Sequence, residues 1–216
     1  KEFEIVVAEG DPIELSASTP ELVLNQKQAA SSALSLTWTR GSNKGTGSSI
    51  SYTLEIDKAG NDFASALTYD MGQGVFEKSY TGEELNALVA DTWSIAPGDT
   101  DSIEARVTAH ITDESIEDDI SDVITVTITT YKPVSATLYM LGSATPNGDD
   151  ISNAIALTST SSKPWEFVFQ DRLAVGSFLL SVSQDDCWCK GFYTVDSNDE
   201  EMMIYNEAGV GDDHQW

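Results

Sequence analysis

Cysteine is nearly absent from this chain of 216 residues: Cys187 and Cys189, both in DCWCK, are the only two. Two thiols make no disulfide framework, and a bridge between positions i and i+2 would strain the backbone. On one strand the pair would share a face, and it reads as two small buried or half-buried thiols. Histidine is as scarce, so a zinc site built on the cysteines would have only His110 and His214 left to draw on. No run of 18 apolar residues exists, so no stretch is suited to span a bilayer as a helix. Basic residues number 11 against 36 acidic ones, a formal net charge of −25. Such a surface repels phosphate backbones and anionic head groups, which disfavours nucleic acid and basic-patch membrane docking and leaves a neutral partner as the easier one. Motifs of catalysis are missing too: there is no G-x-S-x-G, H-E-x-x-H or P-loop. Carboxylates are so numerous that pairs such as those in DESIEDD (113–119) or DDH (212–214) arise by chance, so an enzyme is not expected. The acidic turns GDTD (98–101), DESIEDD and NGDD (147–150) lack the D-x-[DN]-x-[DN]-G calcium pattern, and no metal is expected.

What the chain does have is a steady supply of short β-forming segments. Hydrophobic residues make up 40% and charged ones 22%, the balance of a folded globular protein, and the length suits two compact domains of about 100 residues. Alternating runs rich in Val, Ile, Thr, Tyr and Leu recur between turn residues, the pattern of an all-β sandwich. They lie at 3–8, 13–18, 21–25, 33–40, 49–57, 66–71, 75–80, 101–111 and 121–131, and read as a meander. One helix is expected over TGEELNALVADTW (81–93), with Thr81 as its cap and Leu85, Leu88 and Val89 on one face. RGSNKGTGSS (40–49) reads as a flexible hairpin loop between the strand of Trp38 and that of Tyr52. Trp38, Leu36 and Leu34 alternate on one face and are expected in the core.

Pro133 cannot continue a strand ladder, and a fresh apolar run begins behind it, which sets a boundary between domains 1–132 and 133–216. Strands are expected at 136–142, 154–159, 165–170, 177–183, 191–195 and 201–206. Between the first two, LGSATPNGDD supplies Pro146 and Asn147-Gly148 as turn residues that fold the chain back. Trp165, Phe167 and Phe169 alternate toward the core, as do Tyr139 and Leu141.

LYMLGSATPNGDDISNAIALT followed by PWEFVFQDRLAVGSFLLSV resembles the carbohydrate-binding modules of the SusE/SusF family, surface lipoproteins of bacterial starch-utilisation systems. ALSLTWTRGS with ISYTLEIDKAGNDF is similar to the family's amino-terminal immunoglobulin-like or fibronectin-III-like domain. The resemblance implies two tandem β-sandwiches, a spacer and then a glycan-binding module, on an outer-membrane lipoprotein displayed at the cell surface. It implies no cofactor and no enzymatic activity. Its partners would be a neutral polysaccharide or oligosaccharide, starch being the founding ligand, and an outer-membrane glycan importer. Contact with the membrane would run through an N-terminal lipid anchor not contained in KEFEIVV, which reads as a trimmed beginning. Two departures stand out: Asp149 and Asp150 occupy the loop where many members carry a tryptophan, and the module is expected to be cut short at GDDHQW.

A neutral glycan offers a flat C–H face and a rim of hydroxyls, so a site for it needs exposed rings beside fixed donors and acceptors. DDCWCKGFY supplies these. With the cysteines inward, Trp188 and Lys190 point outward together. Tyr193 and Trp216 would complete the cradle, and Asp185 and Asp186 would accept from hydroxyls. The alternative is an interaction module that assembles with importer proteins and touches no sugar.

Overall fold

A computed structural model describes residues 10–113, 116–159, 166–185, 190–206 and 216. The strand expected at 3–8 lies outside them. The chain divides into two compact units, Lys1–Lys132 and Pro133–Trp216, and is nearly all β.

In the first unit the strands are β1 (Leu15–Ala17), β2 (Glu21–Val23), β3 (Ser32–Trp38), β4 (Ile50–Lys58), β5 (Leu67–Gly72), β6 (Glu77–Thr81), β7 (Thr100–Ile111), β8 (Asp119–Ile120) and β9 (Ile124–Thr129). One sheet runs β1-β3-β6 and the other β2-β9-β7-β4-β5, with β8 paired to β7. The longest ladder is antiparallel, from Ile50 opposite Ile111 to Lys58 opposite Ile103. Alternation builds the core between the sheets. Leu34, Leu36 and Trp38 of β3 face Tyr52, Leu54 and Ile56 of β4, with Ile103, Val107 and Ile128 beside them. Full burial of each such side chain stabilises by roughly 1.5–3 kcal/mol over leaving it exposed. Two expectations are corrected here. The strands form no simple meander, since β2 pairs with β9 in parallel. Nor is 40–49 a hairpin: β3 and β4 belong to different sheets, so the loop crosses between them. Their apolar faces must oppose one another across the core and so cannot lie side by side in one ladder. The loop is also tied down, with Asn43 donating to the Ser48 carbonyl at 3.1 Å and accepting from Gly45 N–H.

Helix α1 (Gly82–Trp93) forms where its cap predicts. Thr81 Oγ1 accepts from Glu84 N–H at 3.2 Å while the Glu84 carboxylate accepts from Thr81 N–H at 2.9 Å, a reciprocal box that satisfies two donors of the first turn. Leu85 and Val89 are buried and Leu88 packs beside them, so the helix closes over β3 and β6.

The second unit holds β10 (Thr137–Leu141), β11 (Ile155–Thr158), β12 (Leu179–Ser181), β13 (Phe192–Asp196) and β14 (Asp199–Asn206), in the order β11-β10-β12-β13-β14 with every described neighbour antiparallel. Both faces of this sheet are packed. Leu138, Met140, Leu157 and Leu180 face one way; Leu141, Ile151, Ala154 and Leu179 face the other. Residues 166–170 form no strand, contrary to expectation. Their alternation still holds, because Phe167 and Phe169 pack on the first face while Val168 stands 62% exposed. The segment lends side chains to the face of the sheet, not hydrogen bonds to its edge.

Candidate functional site

The loop LGSATPNG turns out to be a scaffold. Gly142 N–H donates to the Gly148 carbonyl at 2.9 Å, closing residues 142–148 into a ring. The buried Thr145 hydroxyl fills its middle, 3.0 Å from the Gly142 carbonyl and 3.3 Å from that of Gly148. This ring docks onto the chain that leads into β12: Ala144 N–H donates to the Ser177 carbonyl at 3.0 Å, and Ala174 N–H to the Ala144 carbonyl at 2.8 Å. Gly142 has φ +140°, and a Cβ on it would sit 2.3 Å from the Ser177 carbonyl oxygen, so only glycine fits. Farther on, Asp150 caps the short turn 151–153 by accepting from Ser152 N–H at 3.0 Å, and Asn147 donates to the Asn153 carbonyl at 2.8 Å. Asp149 is exposed.

The docked segment delivers Phe178 to the face of the sheet, where it meets Trp216. Their backbones exchange hydrogen bonds in both directions at 3.1 Å. Their rings stack with centroids 5.2 Å apart and planes 13° from parallel. On the same face, Tyr193 meets Tyr205 edge-on at 5.1 Å, which the bare Gly191 permits: a Cβ there would overlap the Tyr205 hydroxyl. Both Tyr193 and Trp216 pack against the cluster of Leu138, Met140, Leu157 and Leu180. Beside them a hollow of about 360 Å³ opens over Met140 and Leu180, walled by Phe167, Phe169 and Phe178 and carrying one carboxylate, Glu166.

Two of the expected site residues are therefore gathered on one face: Tyr193 and Trp216, each half-buried. Lys190 is exposed just before β13, and Asp185 is exposed. Trp188 and Asp186, with Cys187, Cys189 and Trp165, lie outside the described residues. Phe178 and Tyr205 were not singled out from the sequence as ring partners. Phe178 carried a signal in GSFLLS, an aromatic directly behind a glycine and ahead of two leucines.

The acidic turns have partners of their own. Asp101 pairs with Lys58 at 2.7 Å, and hydrogen bonds from Lys58 and Ser102 N–H hold its carboxyl below the ordinary range. Asp118 meets His110 Nδ1 at 2.6 Å, and Asp119 accepts from Ile13 N–H at 3.3 Å. Among the described residues no three His, Cys, Asp or Glu side chains converge as metal ligands would, and no helix is long and apolar enough to cross a membrane.

A family model described as SusE outer membrane protein matches residues 1–108. No curated protein matches the chain. Among solved structures, SusF from Bacteroides thetaiotaomicron aligns with a TM-score of 0.38 at 13% identity, over 93% of this chain and 47% of that one. This chain thus spans about half the length of that protein, and an overlap so loose assigns neither fold nor function.

Proposed function

The chain belongs to the SusE outer membrane protein family, and on that premise we propose that it is a non-catalytic, lipid-anchored accessory protein that holds neutral polysaccharide at the cell surface for a glycan importer. The first unit acts as the spacer and the second as the binding module. The observation that carries the sugar-binding part is the convergence of Trp216, Phe178 and Tyr193 on one face, beside an open apolar hollow. Rings supply the surface on which the C–H face of a pyranose stacks, and water is expelled from both. Lys190, with Asp185 and Asp186 in the neighbouring sequence, supplies the polar rim that meets hydroxyls, and Trp188 supplies a further ring. The charge of −25 fits a neutral ligand and disfavours an anionic one.

Affinity electrophoresis in gels containing starch, and then a panel of other neutral polysaccharides, tests this. The protein migrates more slowly in a gel containing its ligand, and Trp216→Ala or Trp188→Ala weakens retardation about tenfold or more, as loss of a central aromatic contact does. A second reading has an observation of its own. Met202, Met203 and Ile204 of β14 are 55%, 47% and 36% exposed, consecutive apolar side chains on the last described strand of the sheet, the kind of surface that meets another protein. Absence of retardation on every neutral polymer, together with co-purification of an importer lost on Met202→Asp, would replace the sugar reading with an assembly role.

A further inference from the structure

The first unit carries a cleft, largely apolar with a charged group on either side, that a spacer does not need. Alternation along β6 puts Lys78 on the same side as buried Tyr80, facing the seam between the two sheets, while Glu77 and Ser79 are exposed. The ammonium of Lys78 lies 4.7 Å from the ring centroid of Tyr69, on β5 of the opposite sheet, and 4.9 Å from that of Tyr80. Two π faces hold the cation in place without using any of its three N–H donors. In a protein with 36 acidic side chains, Lys78 forms no ion pair among the described residues. Glu84 stands across the cleft. Its carboxyl is held below the ordinary range by hydrogen bonds with Thr81 and, more weakly, by the charge of Lys78. One of its oxygens accepts from Thr81 N–H. The Tyr80 hydroxyl is buried beside Tyr69. Burial, then a hydrogen bond with Tyr69, and then the charge of Glu84 push it far above its ordinary ionisation, so it stays neutral. Lys78, Ser79, Tyr80, Glu84 and Leu88 line an open cleft of about 330 Å³, the small end of the range for small-molecule sites.

We propose that this cleft is a second, separate saccharide site, which takes a single neutral sugar ring. Lys78 donates to one hydroxyl and Glu84 accepts from its neighbour, so that a vicinal diol bridges two charges that do not touch. Leu88 lies against the C–H face. A carboxylated or phosphorylated ligand is disfavoured, because Glu84 and the net charge of the protein oppose it. The site makes the first unit a participant in glycan capture, and two weak sites on one chain hold a polymer better than either alone.

The experiment is a titration of the whole protein with maltoheptaose, cellohexaose and mannohexaose, followed by amide NMR. Shifts are expected at residues 78–88 with at least one of them, and are expected to persist in Trp216→Ala, which disables the face of the second unit. Lys78→Met keeps the aliphatic stem and Glu84→Gln keeps the helix-capping acceptor. Each is expected to weaken binding at 78–88 at least tenfold while leaving shifts in the second unit unchanged. Shifts confined to the second unit, shifts at 78–88 that Lys78→Met leaves intact, or no shift at 78–88 with any of the three sugars would overturn the proposal. Only the last, if accompanied by silence in the second unit, also counts against the polysaccharide reading.

Discussion

Asp57 lies at the end of β4 with none of its surface exposed, and its two carboxylate oxygens collect donors from three parts of the first unit. Oδ1 accepts from Lys58 N–H at 2.7 Å and Trp93 Nε1–H at 3.0 Å. Oδ2 accepts from Asn61 Nδ2–H at 3.0 Å and Ser65 N–H at 3.1 Å. The carboxylate thus ties the turn 59–65 and the end of α1 to the central sheet. Asp57→Asn keeps the shape and removes the charge. Whichever way the amide is turned, its NH₂ confronts two N–H donors, so two charge-assisted hydrogen bonds are lost and their donors are left unpaired. At roughly 1.5–3 kcal/mol for each such bond, with some relaxation, the cost is about 3–5 kcal/mol. At a few degrees per kcal/mol for a unit of this size, Tm falls by roughly 10–20 °C. The pH dependence follows from the direction of the shift. Burial alone would raise the pKa, but the donors outweigh it and hold the carboxyl below its ordinary value. A lowered folded-state pKa stabilises fully above the unfolded value of about 3.9, and that stability is lost as pH falls through the folded value. Urea unfolding of wild type and variant at neutral pH and again in acid measures this. The gap is full at pH 7 and narrows as pH falls below about 4 and on through the folded value. A variant within about 1 kcal/mol of wild type at pH 7, or a gap unchanged in strong acid, would refute the argument.

Other perturbations test the second unit and the helix. Gly142→Ala forces a Cβ against the Ser177 carbonyl in a backbone region hostile to side chains and is expected to cost about 3 kcal/mol or more, read by thermal unfolding. Gly191→Ala displaces the Tyr205 ring and uncouples it from Tyr193, which near-ultraviolet circular dichroism detects as a lost tyrosine signal at unchanged far-ultraviolet intensity. Thr81→Ala removes half of the capping box and is expected to cost about 1 kcal/mol in urea unfolding, with Thr81→Ser restoring most of it.

Much of the fold was legible because it depends on local period. Two-residue alternation marked β3, β4 and β7 and identified Trp38 as a core residue, now 5% exposed. Thr81, read as a cap, marked the start of α1. Pairing was not legible. Residues 40–49 have a hairpin's composition, yet β3 and β4 pair with other strands, because which edges meet depends on closing the core and not on the loop's own residues. The run at 166–170 failed in the opposite way: its alternation is real, but a strand also needs a partner's backbone, and Phe167 and Phe169 meet side chains.

Composition alone determined a net charge of −25, which acts at long range wherever its carboxylates are placed and works against binding to phosphate-rich surfaces. The order of the residues determined the all-β character, because period 2 is imposed by each strand on itself. Only the tertiary structure decided which rings share a face. Tyr193 and Trp216 are 23 positions apart, and Phe178 joins them solely because a closed loop around Thr145 docks on the chain ahead of β12. The same holds for Lys78 and Tyr69, which come from opposite sheets. A strand dictates to which side its residues point, but what waits on that side is set by long-range packing, which no local pattern records.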